Sequence, residues 1–309
     1  MQINKTAVAL IGLGLVAPFV LYPVFLMKVL CFALFACAFN LLLGFVGLLS
    51  FGHAAFLGTG GYITGYMMLH VGLTPELGIL CGTVAAALLG AVYGKLAVKR
   101  EGIDFEMVTL ALAQLIFFLY LQAPFTGGED GMQGVPRGEL FGFIDLSDNM
   151  TMYYFVFAIF LFGFWLVNRT VHSPFGQILK AIRENEPRAV SLGYNVNDYK
   201  WAAFVISAAL AGLAGSTKTL VFQLASLTDA HWHMSGEVVL MTLLGGMGTI
   251  FGPIVGAASV VTIQNYLSGG ELGNYIHIIM GLIFVVCVLA FRNGIVGEIQ
   301  KVIKRNFGN

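Results

Sequence analysis

His172 to Gly193, HSPFGQILKAIRENEPRAVSLG, is the one long polar, basic interruption in a chain otherwise built of membrane-length apolar runs. Ser173 is a favourable N-cap and Pro174 fits a first helical position, so a helix is predicted to begin there. Phe175, Ile178, Leu179 and Ile182 recur at helical spacing, while Lys180 and Arg183 lie off that stripe. Asn185 then caps a second short helix, Pro187 is tolerated in its first turn, and Gly193 supplies the left-handed residue that ends it. Basic cytoplasmic loops are common in membrane proteins, but most connectors are short. This one is long, is twice capped and carries an apolar stripe that needs a partner, which makes 170–199 a candidate docking element.

The surrounding composition sets its context. With 58% hydrophobic and 10% charged residues and a mean hydropathy of +0.85, the chain lacks the roughly 25% charge of a water-soluble globule. It reads as a single polytopic membrane domain over 1–309, all-α. A net charge of zero leaves no basic footprint for nucleic acid. Cys31, Cys37, Cys81 and Cys287 sit inside apolar runs and read as small buried hydrophobes rather than disulfides or metal ligands. The first apolar run, Ala7 to Val20, has no convincing small-residue cleavage site and is expected to be a retained span.

At about 20 apolar residues per crossing, ten spans are expected near 6–22, 24–43, 49–69, 77–97, 103–123, 151–168, 200–222, 234–250, 252–267 and 275–292. Val238 to Tyr266 also fits one broken pass. Charge favours the even count, with both termini cytoplasmic. Lys5, Lys95, Lys99, Arg100, Arg169, Lys180, Arg183, Arg188, Lys200, Arg292, Lys301, Lys304 and Arg305 then face inward, and Arg137 alone occupies an outer loop. Lys28 and Lys218 fall about one turn from outer ends and are expected to snorkel, since a cation at mid-membrane costs about 3 kcal/mol or more.

The outer loop, 124–150, is acidic and glycine-rich. Glu129, Asp130, Glu139, Asp145 and Asp148 face the single Arg137, and Gly127, Gly128, Asp130 with Gly131, and Pro136 specify turns rather than a packed domain. It reads as a solvated lid or, through Glu129, Asp130 and Glu139, as a docking surface for an external partner. Glycines in helical register, Gly61 with Gly65, Gly90 with Gly94, Ala211 with Gly215, and Gly248, Gly252 and Gly256, let helices approach closely. Two stretches are denser than packing needs, Gly44 to Gly61 and Gly245 to Gly256. One lies in each half, a pattern that points to internal pseudo-symmetry and a central pathway.

Catalytic motifs are missing. AGSTKT at Ala214 to Thr219 lacks the glycine a phosphate loop needs before Lys218, and GGMGTIFG places Phe251 where a dinucleotide loop has its third glycine. His231 and His233 flank Trp232 without a third metal ligand nearby and read as an interfacial aromatic patch. The cytoplasmic segments are too short for an ATPase domain. Within spans the polar residues are mild: Asn40, Ser50, His53, Thr59, Thr109, Gln114, Ser207, Thr242 and Gln264. Of these, Asn40, Ser50, His53, Gln114 and Thr242 are candidates to line a pathway. Ion-coupled carriers usually place ionisable groups at mid-span; their lack here suggests a passage energised by another subunit.

FNLLLGFVGLLSFGHAAF from Phe39, TLALAQ from Thr109, TGGEDG from Thr126, SPFGQILKAIRENE from Ser173 and GGMGTIFGPIVGA from Gly245 together resemble the permeases of branched-chain amino acid ABC importers, of the LivM type. The resemblance implies a ten-helix permease of a bacterial inner membrane that moves aliphatic amino acids inward and has no enzymatic activity or cofactor of its own. It implies a second homologous permease, two cytoplasmic ATPase subunits that bind ATP and Mg, and an extracytoplasmic substrate-binding protein. Phe175, Gly176, Ile182, Arg183, Glu184, Asn185, Glu186 and Gly193 would form the ATPase-coupling region, with Phe175 and Ile182 as anchors and Arg183 and Glu184 as orienting charges. Where relatives often carry two alanines after that glutamate, Glu186 is followed here by Pro187, Arg188 and Ala189. Similar permeases serve urea, amides and other amino acids, and a stand-alone secondary carrier is the rival reading.

Overall fold

The computed structural model describes residues 12, 14–268, 276–290 and 294–298. Its α-helices, in order, are α1 Pro23–Phe45, α2 His53–Leu69, α3 Pro75–Ala97, α4 Ile103–Gln122, α5 Asn149–His172, α6 Pro174–Glu184, α7 Glu186–Ser191, α8 Val196–Phe222, α9 Trp232–Gly245, α10 Gly252–Ser268 and α11 Ile276–Ala290. Four two-residue strands, β1 Met132–Gln133, β2 Glu139–Leu140, β3 Ile144–Asp145 and β4 Leu224–Ala225, lie in the loops. Helices α1, α3, α4, α5 and α8 are long and apolar enough to cross a membrane. With 17, 14 and 17 residues, α2, α9 and α10 would each measure about 21 to 26 Å, short of a hydrocarbon core of about 30 Å. Of the expected first span, 6–22, residues 6–11 and 13 lie outside the described residues; its described part is helical at 14–16 and continues into a 3-10 turn at Ala17–Phe19. The expected span 234–250 stops at Gly245, and Val238 to Tyr266 forms two helices separated by a non-helical segment.

Helices α1 and α8 form the centre. From Cys31 to Phe45 every residue of α1 is buried. Helix α3 runs antiparallel to α8 along a seam of small residues: a Cβ at Gly82, Gly90 or Gly94 would run into Ser216, Ala208 and Trp201 respectively, and one at Gly212 would strike Ala86. Such close approach substitutes dispersion contacts for the hydrophobic drive that lipid removes. Ser216 Oγ donates to the Gly60 carbonyl at 3.1 Å and Thr64 Oγ1 to that of Gly78 at 3.0 Å, so the hydroxyls at these contacts are satisfied. Helices α9 and α10 fold back on each other even more tightly, because a Cβ at Gly256 would overlap the Met241 carbonyl and one at Gly245 that of Gly252.

The 124–150 loop is more ordered than its turn residues suggest. β1 pairs antiparallel with β4, and β2 with β3. Thr126, Val135 and Leu146 are fully buried beneath them. Arg137 clamps the loop, donating to Asn149 Oδ1 at 2.9 Å and to the carbonyls of Val221 at 3.1 Å and Ser147 at 3.3 Å. The glycines do supply the turns, but Val135 and Leu146 supply a small core that composition hid.

Lys218 also departs from expectation. It pairs with Asp229, which the 3-10 turn Leu227–Ala230 delivers to it, and lies over the rings of Phe32 at 5.4 Å and Phe222 at 5.9 Å instead of reaching solvent. Both partners are nearly enclosed. Asp229→Asn would leave the ammonium uncompensated, and thermal melting should show a loss of about 3 to 5 kcal/mol. Adding Lys218→Met to Asp229→Asn should recover most of that loss, because the cost lies in the unpaired charge rather than in the missing pair.

Candidate functional site

The capped helices of the opening stretch form as their residues dictate. Ser173 Oγ accepts from the Gly176 N–H at 3.3 Å and Asn185 Oδ1 from that of Arg188 at 3.0 Å. Gly193 has φ +89° and closes α7 in the left-handed region. A Cβ at Gly176 would collide with the Thr170 and Val171 carbonyls, so its absence lets α6 fold back sharply against the end of α5.

The apolar stripe, however, already has a partner in this chain. Ile182 is only 2% exposed and packs with Ala189 and Val196, bordered by Ile178 and Tyr199. Leu179 is fully buried, and Phe175 is half-buried and stacks on Tyr199 at 5.7 Å. Ile182 is therefore a core residue rather than a surface anchor, because α8 begins just past Gly193 and offers the matching face. Glu186 grips the buried Lys200 ammonium through both carboxylate oxygens at 2.6 Å, tying α7 to α8. Outward-facing positions include Ala181, Glu184, Asn185, Pro187, Arg188, Val190, Leu192 and Tyr194.

The off-stripe cations reach back to the end of α1, Lys180 half-buried and Arg183 still exposed. Arg183 Nη1 donates to the Gly44 carbonyl in the last turn of α1, and Lys180 Nζ sits 5.7 Å above the ring of Phe45. Two cations thus meet the negative end of α1, where carbonyls have no helical partner. Three successive N–H groups, of Val46, Gly47 and Leu48, share the Leu42 carbonyl, and Gly47 at φ +85° ends the helix. A Cβ at Gly47 would press on the Arg183 methylenes at 3.1 Å, so glycine clears room for the guanidinium.

The same point receives the second glycine-rich stretch. Between α9 and α10 the backbone at 246–251 is not helical. Asn40, one turn before Gly44, accepts from the Gly248 N–H at 3.0 Å and donates to the Thr249 carbonyl at 2.9 Å. A Cβ at Gly44 would meet Gly248 N at 2.7 Å, and one at Gly248 would meet Arg183 Nη1 at 3.1 Å. One knot therefore holds the end of α1, the break between α9 and α10, and the tip of α6. Gly294 also packs against Gly246.

The other candidates for a pathway are dispersed. His53 is fully buried among Phe39, Phe56 and Phe204, with Nε2 2.8 Å from Ser207 Oγ. Ser207 directs its single proton to the Ala38 carbonyl at 2.5 Å, so His53 donates through Nε2 and links α2, α8 and α1. Ser50 is buried and accepts from Gly52 N at 3.2 Å; Thr242 is buried and donates to Val238 O at 2.8 Å. Gln114 is half-buried on α4. Glu129, Asp130 and Glu139 are exposed on the 124–150 loop. His231, Trp232 and His233 stack on one another, with Phe117 against His231 at 4.9 Å. Burial holds His231 below the usual imidazole range, and the neighbouring His233 charge adds to the effect.

Sequence reasoning missed the partners Gly44, Lys200, Tyr199 and Asp229. The only available signal was the density of glycine at 44–47 and 245–248.

Residues 23–288 match the family described as branched-chain amino acid transport system, permease component. The high-affinity branched-chain amino acid transport system permease protein LivM of Escherichia coli is 26% identical over 273 residues, covering 81% of this chain and 64% of the relative, so the chain spans less than two thirds of that protein's length. LivH of Salmonella typhimurium is 24% identical, covering 88% of this chain and 93% of its own length. The ribose import permease protein RbsC of Haemophilus influenzae is 24% identical, covering 69% and 66%. No solved structure matches.

Asn40→Ala would strip the Gly248 N–H and the Thr249 carbonyl of their bonds to α1, at about 1 to 3 kcal/mol. Hydrogen exchange at 246–251 should accelerate in that variant and stay unchanged in Gln114→Ala. Equal protection in both would show that Asn40 does not hold the break.

Proposed function

The chain belongs to the family of branched-chain amino acid transport system permease components, membrane transport proteins rather than enzymes, and from that premise we propose that it is the permease subunit of an ATP-driven importer of branched-chain amino acids. It pairs with a second homologous permease, binds two cytoplasmic ATPase subunits that hold ATP and Mg, and receives substrate from an extracytoplasmic binding protein. Its ten spans form one domain in the bacterial inner membrane, with both termini in the cytoplasm. The names of the LivM and LivH relatives favour aliphatic substrates, whereas the ribose permease keeps a sugar as the second reading.

The observation that carries the reading is the knot at Arg183. A connector needs no bond to the membrane core, yet α6 bonds the end of α1 through the Arg183 guanidinium, in the space that glycine leaves at Gly248. ATPase closure moves α6 and α7 as a unit, held by the packing of Ile182 on Ala189. Arg183 passes that motion to the end of α1 and to the 246–251 break. That non-helical segment, between the eighth and ninth expected spans, serves as the hinge for alternating access. The charges buried at α8, Lys200 and Lys218, are each paired with a carboxylate, which supports an external energy source over ion coupling.

Since Ile182 faces inward, the ATPase meets the opposite face, where Val190 is 56% and Leu192 69% exposed. Buried anchors of an interface commonly contribute about 2 kcal/mol each. Val190→Asp with Leu192→Asp should therefore release the ATPase subunits in co-purification and abolish ATP-dependent leucine uptake in proteoliposomes, while the melting temperature holds. Ile182→Ala should instead destabilise the chain by about 2 to 5 kcal/mol through a cavity. Retained ATPase binding by the double variant would exclude this face, uptake without ATP would favour a secondary carrier, and ribose outcompeting leucine would favour the sugar reading.

A further inference from the structure

The β2–β3 hairpin ends in an arrangement that folding alone does not call for. Glu139 pairs with Asp145 and Leu140 with Ile144, leaving Phe141, Gly142 and Phe143 at the tip. The Leu140 carbonyl accepts from the Phe143 N–H at 3.1 Å across a turn whose two central residues, Phe141 at φ +52° and Gly142 at φ +75°, both lie in the left-handed region. Such turns favour Asn-Gly or Asp-Gly, and a phenylalanine at the first position is strained. The strain gains no burial: Phe141 is 66% and Phe143 92% exposed.

The hairpin's underside opens on a groove of about 400 Å³ lined by Leu140, Ile144, Met150, Tyr154, Phe155 and Ala158. From Met150 to Ala158 that groove follows α5 for about 12 Å at 1.5 Å per residue. Tyr154 and Ala158 begin the outward stripe of α5, which continues through Phe162 and Trp165 on a helix long and apolar enough to span the membrane. The groove is therefore continuous with a face that hydrocarbon must cover. Glu139 and Asp145 stand exposed at the base of the hairpin, where carboxylates need water.

We propose that the Phe141–Phe143 tip is a membrane-interface anchor, its two rings seated at the headgroup–acyl boundary of the leaflet opposite α6 and α7, with a phospholipid acyl chain occupying the groove along α5. Aromatic side chains favour that depth, and the two carboxylates limit how far the tip sinks. The anchor fixes the height of the outer loop, and with it Glu129 and Asp130, relative to the bilayer. It holds whether or not the importer reading does, because it needs only a membrane-spanning α5.

The test uses the full chain with its four cysteines replaced by alanine, reconstituted in phosphatidylcholine nanodiscs, with a nitroxide on Phe143→Cys or, as control, on Glu129→Cys. Relaxation by oxygen relative to a water-soluble nickel chelate should be several-fold greater at 143 than at 129. Equal ratios at the two positions would overturn the anchor. So would a water-like ratio at 143 that changes only when a binding protein is added, which would make the tip a protein-docking element instead.

Discussion

A helix that ends inside a protein leaves its last carbonyls without partners, and the remainder of this structure is arranged around that deficit at the end of α1. The buried run from Cys31 to Phe45 makes α1 a central element of the fold, so its C-terminus cannot be satisfied by water alone. Gly47 turns the chain, the Leu42 carbonyl accepts three N–H groups, and the Gly44 carbonyl is left for a donor from elsewhere. Arg183 supplies it from a helix 139 residues away in sequence. A guanidinium suits this role because it keeps its charge under any local field and presents several donors in a fixed plane.

Asn40 extends the same logic to the second half of the chain. Its amide offers one acceptor and two donors, and both kinds are used on the backbone of the 246–251 break. Glycine at 44, 47 and 248 has one common cause here: the end of α1, the 246–251 segment and Arg183 converge where a Cβ would crowd them, whereas Gly245 admits α10. The other dense contacts, along α3 and α8, are conventional close packing. The result is a centre, α1 with α8, α2 and α3, on which the short helices α6 and α7 are seated through the Ile182 cluster, the Glu186–Lys200 pair and the Arg183 bond.

Much of this was legible in sequence, and the limits have a physical origin. Ser173, Pro174, Asn185 and Gly193 announced two helices because caps and left-handed glycines act within a few residues. Apolar runs placed most helices for the same local reason. The periodicity of Phe175, Leu179 and Ile182 gave the correct stripe but not its partner, since a stripe states only that it must be covered. Val196 and Tyr199 cover it, and nothing short-range encodes that choice. Lys218 with Asp229, and Lys200 with Glu186, were missed likewise: each pair joins separate elements, and a buried cation looks in sequence like one that snorkels. Glycine density did mark the central knot, but as two separate stretches rather than one place.

The claim that α6 and the 246–251 break move together is open to a direct distance measurement. Spin labels at Ala181 and Met247, both exposed, can be placed in the assembled transporter and compared between the nucleotide-free and ATP-trapped states. A label pair at Ala181 and Glu129 serves as the reference across the membrane. The account predicts that the 181–247 distance distribution stays unchanged between the two states while the 181–129 distribution shifts. A shift in the 181–247 distance of the same size as the reference shift would contradict it, because Arg183 would then carry no motion from α6 to the break.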